Sequence, residues 1–557
     1  MLSMKKIGIL IDGTVVSTYL SDTIDTLIKA ENVEVYFIQN KVAIDRKKQN
    51  FLSKIKNRRI FGLLGDVFFK MVFLTEFAIF SRINPKIKKL KMSVDIGKYL
   101  GDQRHVVISP IFSTSGLIVR YSKSDVEKIQ ALELDLLVRG NTPGIFKGDI
   151  LTASKHGLIS FHHGDNSWNR GSSPGFWEVF HSKPSTGFII QILNEELDGG
   201  DVIYRGRLAT KRTYVENLST LYEESSPYLA NVIIDFTNTG QLPAYEKKFP
   251  FDNKLIKKPS LIQSIGYTWK LMKFVSGKFY NKKLLRKEDR WSVAFHNNSW
   301  QNSSLRKGTI ISNPHRRFFA DPFIIKRDGE TICFVEDYSY DDKIACISAI
   351  RINDDGSYAL LGEVIKEPFH MSFPYVFDYN GELYMVPETK DAGAIRLYQC
   401  VDFPLKWEYK KDLMGNVNCV DSMVFEENGW WLLTNKSEQG SSDNGSRLYA
   451  YHTDDPINGA WIPHKGNPIV FDSDIIRNGG LLRDENNALF RVRQKQSFNE
   501  YGKSITIAKI DTLNKSEFSE SQVASIDPLF FPNITRCHHI HSNGEYTVYD
   551  FLRGVRV

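Results

Sequence analysis

The sequence predicts an α/β Rossmann-like half followed by an all-β half built as a five-bladed propeller. Three observations carry this. The first 40 residues alternate strand, helix and strand patterns, helical periodicity fades after Trp291, and five similar units recur beyond that point.

The run Lys6–Asp12 is apolar and stops at Gly13, as a buried strand does. Residues Ser21–Ala30 place Ile24, Leu27 and Ile28 at helical spacing, and Val33–Ile38 reads as a second strand. This β-α-β opening belongs to a parallel sheet. It has no G-x-G-x-x-G, so no dinucleotide site is indicated. Residues 41–100 interrupt the alternation as a basic helical insertion. It then resumes with a strand at Val106–Ser109 and a helix at Ser124–Leu132, opened by Ser124 and Glu127 at capping-box spacing. A strand at Asp135–Arg139, a loop at Gly140–Gly144, a short helix at Ile150–Ser154 and a strand at Leu158–Phe161 follow. Strands at Phe188–Ile192 and Asp201–Tyr204 and a helix at Tyr214–Thr239, stopped by Gly240, complete a domain over residues 1–245. Residues 246–290 read as a basic connector with an amphipathic helix near Ser260–Tyr280.

Residues 291–557 carry the repeat. Units start ADPFII at Ala320, FPYVF at Phe373, VDSMVF at Val420, NGGLL at Asn478 and HHIHS at His538. Comparing Asp321, Pro374, Asp421, Asn478 and His538 gives spacings of 53, 47, 57 and 60 residues. Short strands at periods near 50 point to a propeller of five blades, with an array of β-sandwiches as the alternative.

Charge is unevenly placed. Residues 41–100 hold 15 Lys+Arg against 4 Asp+Glu, and residues 251–290 hold 11 against 3. Subtracting both surpluses from the net +7 leaves −12 for the rest. Each basic segment also carries large apolar residues, among them Phe68, Phe69, Trp269 and Phe274. A solvated helix face over core and a helix lying on an anionic membrane surface both fit this mixture. No recognition motif for nucleic acid accompanies it. The most apolar window, Ile60–Phe80, contains Asp66, Lys70 and Glu76, so no membrane span is expected there. No signal peptide is read at the start, and five cysteines without a C-x-x-C pair suggest a reducing compartment and no zinc site. The expected location is cytoplasmic, with peripheral contact at the inner membrane face.

The chemistry sits between Leu158 and Ile203. A strand delivers Ser160-Phe-His162 to a loop. Arg170 to Pro174, Thr186-Gly187 and Asp198-Gly-Gly200 follow in order. This resembles the formyltransferase family of methionyl-tRNA, glycinamide ribonucleotide and sugar-amine N-formyltransferases, over roughly residues 1–245 without the insertion. In that family an Asn-x-His motif, an Arg-Gly-x-x-Pro stretch, a Thr-Gly and a catalytic Asp-x-Gly occur in the same order.

The resemblance implies formyl transfer from 10-formyltetrahydrofolate to an amine, here on a nucleotide- or lipid-linked sugar of surface polysaccharide or glycolipid synthesis. It makes His162 and Asp198 the catalytic pair, with Ser160 standing where Asn is expected. It lays the folate against Leu137, Arg139, Gly140, Asn141 and Thr142. The loop from His163 to Asn166 departs from the family's pattern. The alternative is a non-catalytic or repurposed formyltransferase fold carried by a glycan-binding or glycan-processing propeller.

The second half resembles five-bladed glycosidase-like propellers and a propeller attached to some glycolipid glycosyltransferases. That likeness singles out Asp321, Glu388 and Asp421 as axial carboxylates. His539 and His541 would share one face of a strand and His538 the other, so no metal site is expected.

Overall fold

The computed structural model describes residues 4–41, 60–101, 104–114, 116–196, 199–247, 250, 255–283, 287–438, 441 and 443–556. The chain divides into two compact units, Met1–Phe274 and Val275–Val557.

The first unit is built on a seven-stranded sheet. Its strands are β1 (Lys5–Ile11), β2 (Val33–Asn40), β3 (His105–Ile108), β4 (Leu136–Arg139), β5 (Leu158–His162), β6 (Ser185–Ile192) and β7 (Asp201–Ala209). They lie in the order β7-β6-β5-β4-β1-β2-β3. The pairs from β3 across to β5 are parallel, while β6 and β7 are antiparallel. Helices are α1 (Thr18–Lys29), α2 (Ile60–Ile83), α3 (Lys123–Gln130), α4 (Phe176–Phe180), α5 (Tyr214–Thr239) and α6 (Leu261–Lys283). The sheet is apolar because both faces are covered: Ile7, Ile9, Leu136, Leu137, Leu158, Ile159 and Ile189 are all shut from solvent.

Local chemistry sets the helix ends. Helix α1 begins three residues before Ser21 because the Ser17 hydroxyl accepts from the Leu20 amide at 3.3 Å. The cap of α3 is Ser122, which accepts from Asp125 N at 3.2 Å, and not Ser124. The short helix expected at Ile150–Ser154 is a 3-10 turn over Asp149–Thr152. Helix α5 has the expected bounds. Thr213 caps it, accepting from Glu216 N and donating to Glu216 Oε2, and Gly240 ends it at φ 73°. Within the basic insertion, α2 is followed by a 3-10 turn, Pro85–Lys91, capped by Asn84.

One buried carboxylate ties three helices together. Glu76 of α2 accepts from Val215 N at 3.0 Å and from the Tyr267 hydroxyl of α6. Tyr267 Oη in turn accepts from Tyr214 N at 2.8 Å. The first amides of α5, which have no partner inside their helix, are thus satisfied by α2 and α6. Burial pushes the Glu76 carboxyl above its ordinary pKa, against the pull of these hydrogen bonds.

Among the described residues, the second unit contains five antiparallel sheets. Four are consecutive meanders, running Arg317–Ile365, Ser372–Gly415, Cys419–Pro463 and Arg477–Ile526. The fifth joins chain segments far apart: Lys287–His296 pairs with Thr547–Arg556, flanked by Thr309–Ile310 and by Ile534–Arg536 and Ile540–Ser542. The strand pattern therefore begins at Lys287, inside the stretch read as connector. The first strands neighbour one another in turn. Arg317–Arg327 lies beside Ser372–Tyr379, that beside Cys419–Glu426, that beside Arg477–Arg483, that beside Ile540–Ser542, which lies beside Arg317–Arg327 again. Asp328-Gly329 and Asn380-Gly381 both have positive φ, as two-residue hairpin loops require.

Each of the first four sheets carries the same irregularity. Pairing of its first strand skips two residues, after Ala320, Ser372, Val420 and Asn478. Asp321, Phe373 and Asp421, the first residues skipped, have φ of 46°, 49° and 50°. Such bulges turn side chains away from the regular alternation. Opposite the last paired residue stand Glu336, Glu388, Asn435 and Arg493.

Candidate active site

In the first unit, the ends of β4 and β5 and the start of α1 surround a cavity of about 430 Å3. His162, Arg139, Gly140, Asn141 and Thr142 all line it. The 139–143 loop leaves the end of β4, where Gly140 passes so close to β1 that an added Cβ would lie 2.6 Å from the Leu10 carbonyl. A polar network fixes the loop. Asp12 N donates to Asn141 Oδ1 at 2.9 Å, and Asn40 Nδ2 reaches Asp12 Oδ1 and Thr142 Oγ1 at 2.7 and 3.1 Å. Tyr121 Oη donates to Asn40 Oδ1 at 3.0 Å, and Arg139 Nε to the Thr142 carbonyl at 3.0 Å.

The opposite wall is aromatic. His163 stacks on Tyr222 with ring centroids 4.0 Å apart and meets Phe161 at a tilt of 34° at 4.3 Å, and Tyr222 meets Tyr19 at 5.5 Å. Desolvation, with His162 as neighbour, lowers the His163 pKa to about 3, so its ring is neutral at ordinary pH. Burial, and then Glu223 nearby, pushes the Tyr19 hydroxyl well up.

Two predicted residues stand behind the cavity. Ser160 is 1% exposed and donates to the Phe161 carbonyl at 3.3 Å; it does not line the cavity. Leu137 sits mid-strand, paired with Gly8, and its side chain belongs to the core. Asp198 lies outside the described residues. On either side of it, Asn194 Nδ2 donates to the Gly199 carbonyl at 2.8 Å, and Arg170 meets Glu196 at 3.3 Å.

Tyr19, His163 and Tyr222 were not singled out from the sequence. The doubled histidine was the available signal for His163; the tyrosines meet it only through packing of α1 and α5.

Beside the strand carrying His162, Asp165 is held by Arg205 and by Arg207, whose Nε lies 2.8 Å from Oδ2. Burial opposes ionisation there, but the two guanidiniums outweigh it and keep the carboxyl below its usual range. Next to it, burial raises Glu178 to about 7 although Asn169 donates to it at 3.0 Å.

The second unit gathers a second cluster, and the bulges place it. Asp321 Oδ1 lies 3.5 Å from His538 Nε2, and His538 Nδ1 lies 2.6 Å from Asp550 Oδ2. Residues 538 and 539 are not in a strand, so both amides donate to Asp550 Oδ1 at 3.0 Å and both rings approach Asp321. The strand-face argument therefore fails for this pair. Asp421 is paired with Arg477 at 2.6 Å. Burial, then the charge of Asp421, raises Glu388 to about 8, and burial raises Asp321 to about 7 against the pull of His538. Glu336 is raised well above its ordinary value by burial, then by neighbouring charges. Asp321, Glu388 and Asp421 thus feel one another, together with Glu336 and Asp550. Glu336 was missed, yet it occupies the same repeat position as Glu388. Asp321, His538 and Asp550 bring ligand-capable atoms within 4.8 Å of one another.

Known proteins of several classes resemble parts of this chain. Residues 288–529, inside the second unit, match the family described as glucosamine inositolphosphorylceramide transferase 1, N-terminal. The Arabidopsis thaliana protein named glucosamine inositolphosphorylceramide transferase 1 is 36% identical over 210 residues, covering 37% of this chain and 27% of its own length. The chain thus spans about a quarter of that curated relative. A methionyl-tRNA formyltransferase of Listeria monocytogenes serotype 4a (strain HCC23) is 31% identical over 114 residues, 20% of this chain and 36% of that protein. Among solved structures, a sugar N-formyltransferase from Shewanella sp FDAARGOS_354 aligns over 45% of this chain and 74% of its own, at 16% identity and a TM-score of 0.25.

Proposed function

We propose that the first unit is a formyltransferase acting on the amine of a sugar. The observation that carries this reading is the convergence of His162 and the 139–143 loop on one cavity with an aromatic wall. About 430 Å3 suits a fused heterocycle of the pterin class, and the ordered loop offers main-chain donors and acceptors for its edge. These residues fit 10-formyltetrahydrofolate, which when bound would supply the formyl carbon.

His162 would donate to the formyl oxygen as the amine attacks and negative charge gathers there. Ser160 is shut away from the cavity, so this stabilisation would fall on the imidazole. The neutral His163 would act as a stacking surface. Asp198 would take the proton from the attacking amine and return it to the folate nitrogen as the bond from that nitrogen to the formyl carbon breaks, so that tetrahydrofolate would leave. An amino sugar as acceptor is suggested through the second unit, whose family match is described as a glucosamine inositolphosphorylceramide transferase; glucosamine bears a primary amine.

The test is consumption of 10-formyltetrahydrofolate by the full chain with nucleotide-linked amino sugars. His162→Ala should lower turnover by about 100-fold or more. A wild-type chain that neither binds a tetrahydrofolate analogue nor turns over would overturn the reading.

A second reading concerns the other unit. Its five sheets, with first strands that succeed one another around a ring, would form a five-bladed propeller whose centre binds a glycan. The cluster of Asp321, Glu336, Glu388, Asp421 and Asp550 with Arg477 and His538 favours it: the buried carboxyls of Asp321, Glu336 and Glu388, raised in pKa, are suited to donate to sugar hydroxyls, and the Asp421–Arg477 pair adds charged partners beside them. The two readings are compatible in one protein of glycolipid or polysaccharide assembly.

A further inference from the structure

We infer that α2 and α6 of the first unit form a docking surface for an anionic lipid bilayer, lying on it without crossing it. On α2, Leu64, Val67, Met71 and Leu74 are all exposed, with Val67 at 58% and Met71 at 56%. Their spacing of three and four residues puts them on one face of the helix. On α6, Ile262, Ile265, Trp269 and Met272 repeat that spacing and are also exposed, Ile262 at 81% and Trp269 at 65%. Neither stripe is needed for the core. Each helix buries other residues inward, Gly65 and Glu76 from α2 and Ser264 and Tyr267 from α6.

The two helices are braced together. A Cβ on Gly65 would lie 2.9 Å from the Leu261 amide, and Glu76 binds the Tyr267 hydroxyl. The stripes are therefore presented by a fixed pair of rods.

Charge decides the occupant. Exposed Lys70, Arg82 and Lys88 lie on α2 or in the turn after it, and exposed Lys257, Lys258 and Lys273 on α6 or just before it, whereas Lys91 and Lys270 are held against Phe77 and the Phe180 carbonyl. Residues 255–277 contain no acidic residue, and between residues 60 and 94 there are only Asp66, which is half-buried, and the internal Glu76. Apolar side chains flanked by cations alone complement phospholipid headgroups over acyl chains. Two copies meeting through these faces would oppose like charge to like. No described helix is long and apolar enough to cross a membrane. The inference does not rest on formyl transfer.

The experiment is flotation of the full chain with vesicles of phosphatidylcholine alone or mixed with phosphatidylserine. The chain should float with the mixed vesicles, less so as salt rises, and stay behind with phosphatidylcholine. The double variant M71E/W269E, changed only at exposed positions, should keep its circular dichroism and thermal transition and lose about tenfold or more in partitioning. Failure of the wild-type chain to bind mixed vesicles would overturn the proposal, and so would undiminished binding by the variant. A dimer in sedimentation that the same substitutions abolish would assign the faces to a second copy instead. Each of these results is read without folate and leaves the His162 test untouched.

Discussion

Glu178 lies on α4, almost wholly buried, with Asn169 as its hydrogen-bond donor. Burial raises its carboxyl to about 7 from an ordinary 4.5. At about 1.4 kcal/mol per unit, a shift of that size is worth on the order of 3 kcal/mol. The sign follows from linkage. A carboxyl whose pKa is higher in the folded chain favours folding while protonated. Its contribution is complete below the unfolded value and is lost as pH rises through the folded one. Glu178→Gln keeps the size and an oxygen for Asn169 but never ionises. The variant should match the wild type at pH near 4.5 and gain on it up to pH near 7, reaching about 3 kcal/mol and then holding constant. Urea unfolding followed by tryptophan fluorescence at a series of pH values measures this, since Trp177 is the adjacent residue. A difference that does not change with pH, or a variant less stable than the wild type at pH 8, would refute the account of burial as the dominant influence on Glu178.

Glu76→Ala should destabilise the first unit by about 2–4 kcal/mol, because Val215 N and Tyr267 Oη lose a buried acceptor. Glu76→Gln should cost less, about 1–2 kcal/mol, since its one amide oxygen can keep only one of the two bonds, Val215 N and the Tyr267 hydroxyl using different oxygens of the carboxylate; thermal unfolding separates the two, and equal losses would contradict the capping role. On the glycan reading proposed for the second unit, Asp421→Asn should remove most of the affinity expected there, by removing the charge paired with Arg477 at 2.6 Å. Titration of the full chain with oligosaccharides reads this, and wild-type affinity in the variant would remove the carboxylate cluster from the glycan reading.

Local signals were legible where short-range chemistry decides the outcome. Gly240 marked the end of α5, even though Pro227 lies inside the helix. The dipeptides Asp328-Gly329 and Asn380-Gly381 announced their hairpins. The loop after β4 and His162 after β5 reached the cavity because parallel strands deliver their C-terminal ends to one edge. What stayed hidden depends on contacts between distant segments. Nothing near Glu76 announces Tyr267, 191 residues away. The placement of Ser160 behind the cavity depends on its immediate packing rather than on the motif that contains it. Glu336 was overlooked because the repeat was read from strand starts, whereas its role comes from the strand opposite.

The fifth sheet of the second unit sets the order in which that unit can be finished. Its strand Lys287–His296 must wait for Thr547–Arg556, some 250 residues later, before its register is filled. During synthesis the four meanders can form as each emerges from the ribosome, but the early strand keeps an open edge throughout. Loss of the final ten residues of this pairing would thus expose the beginning of the unit as well as its end. Nascent chains halted just short of Thr547 should be more open to proteases and more dependent on chaperones than chains halted within any single meander.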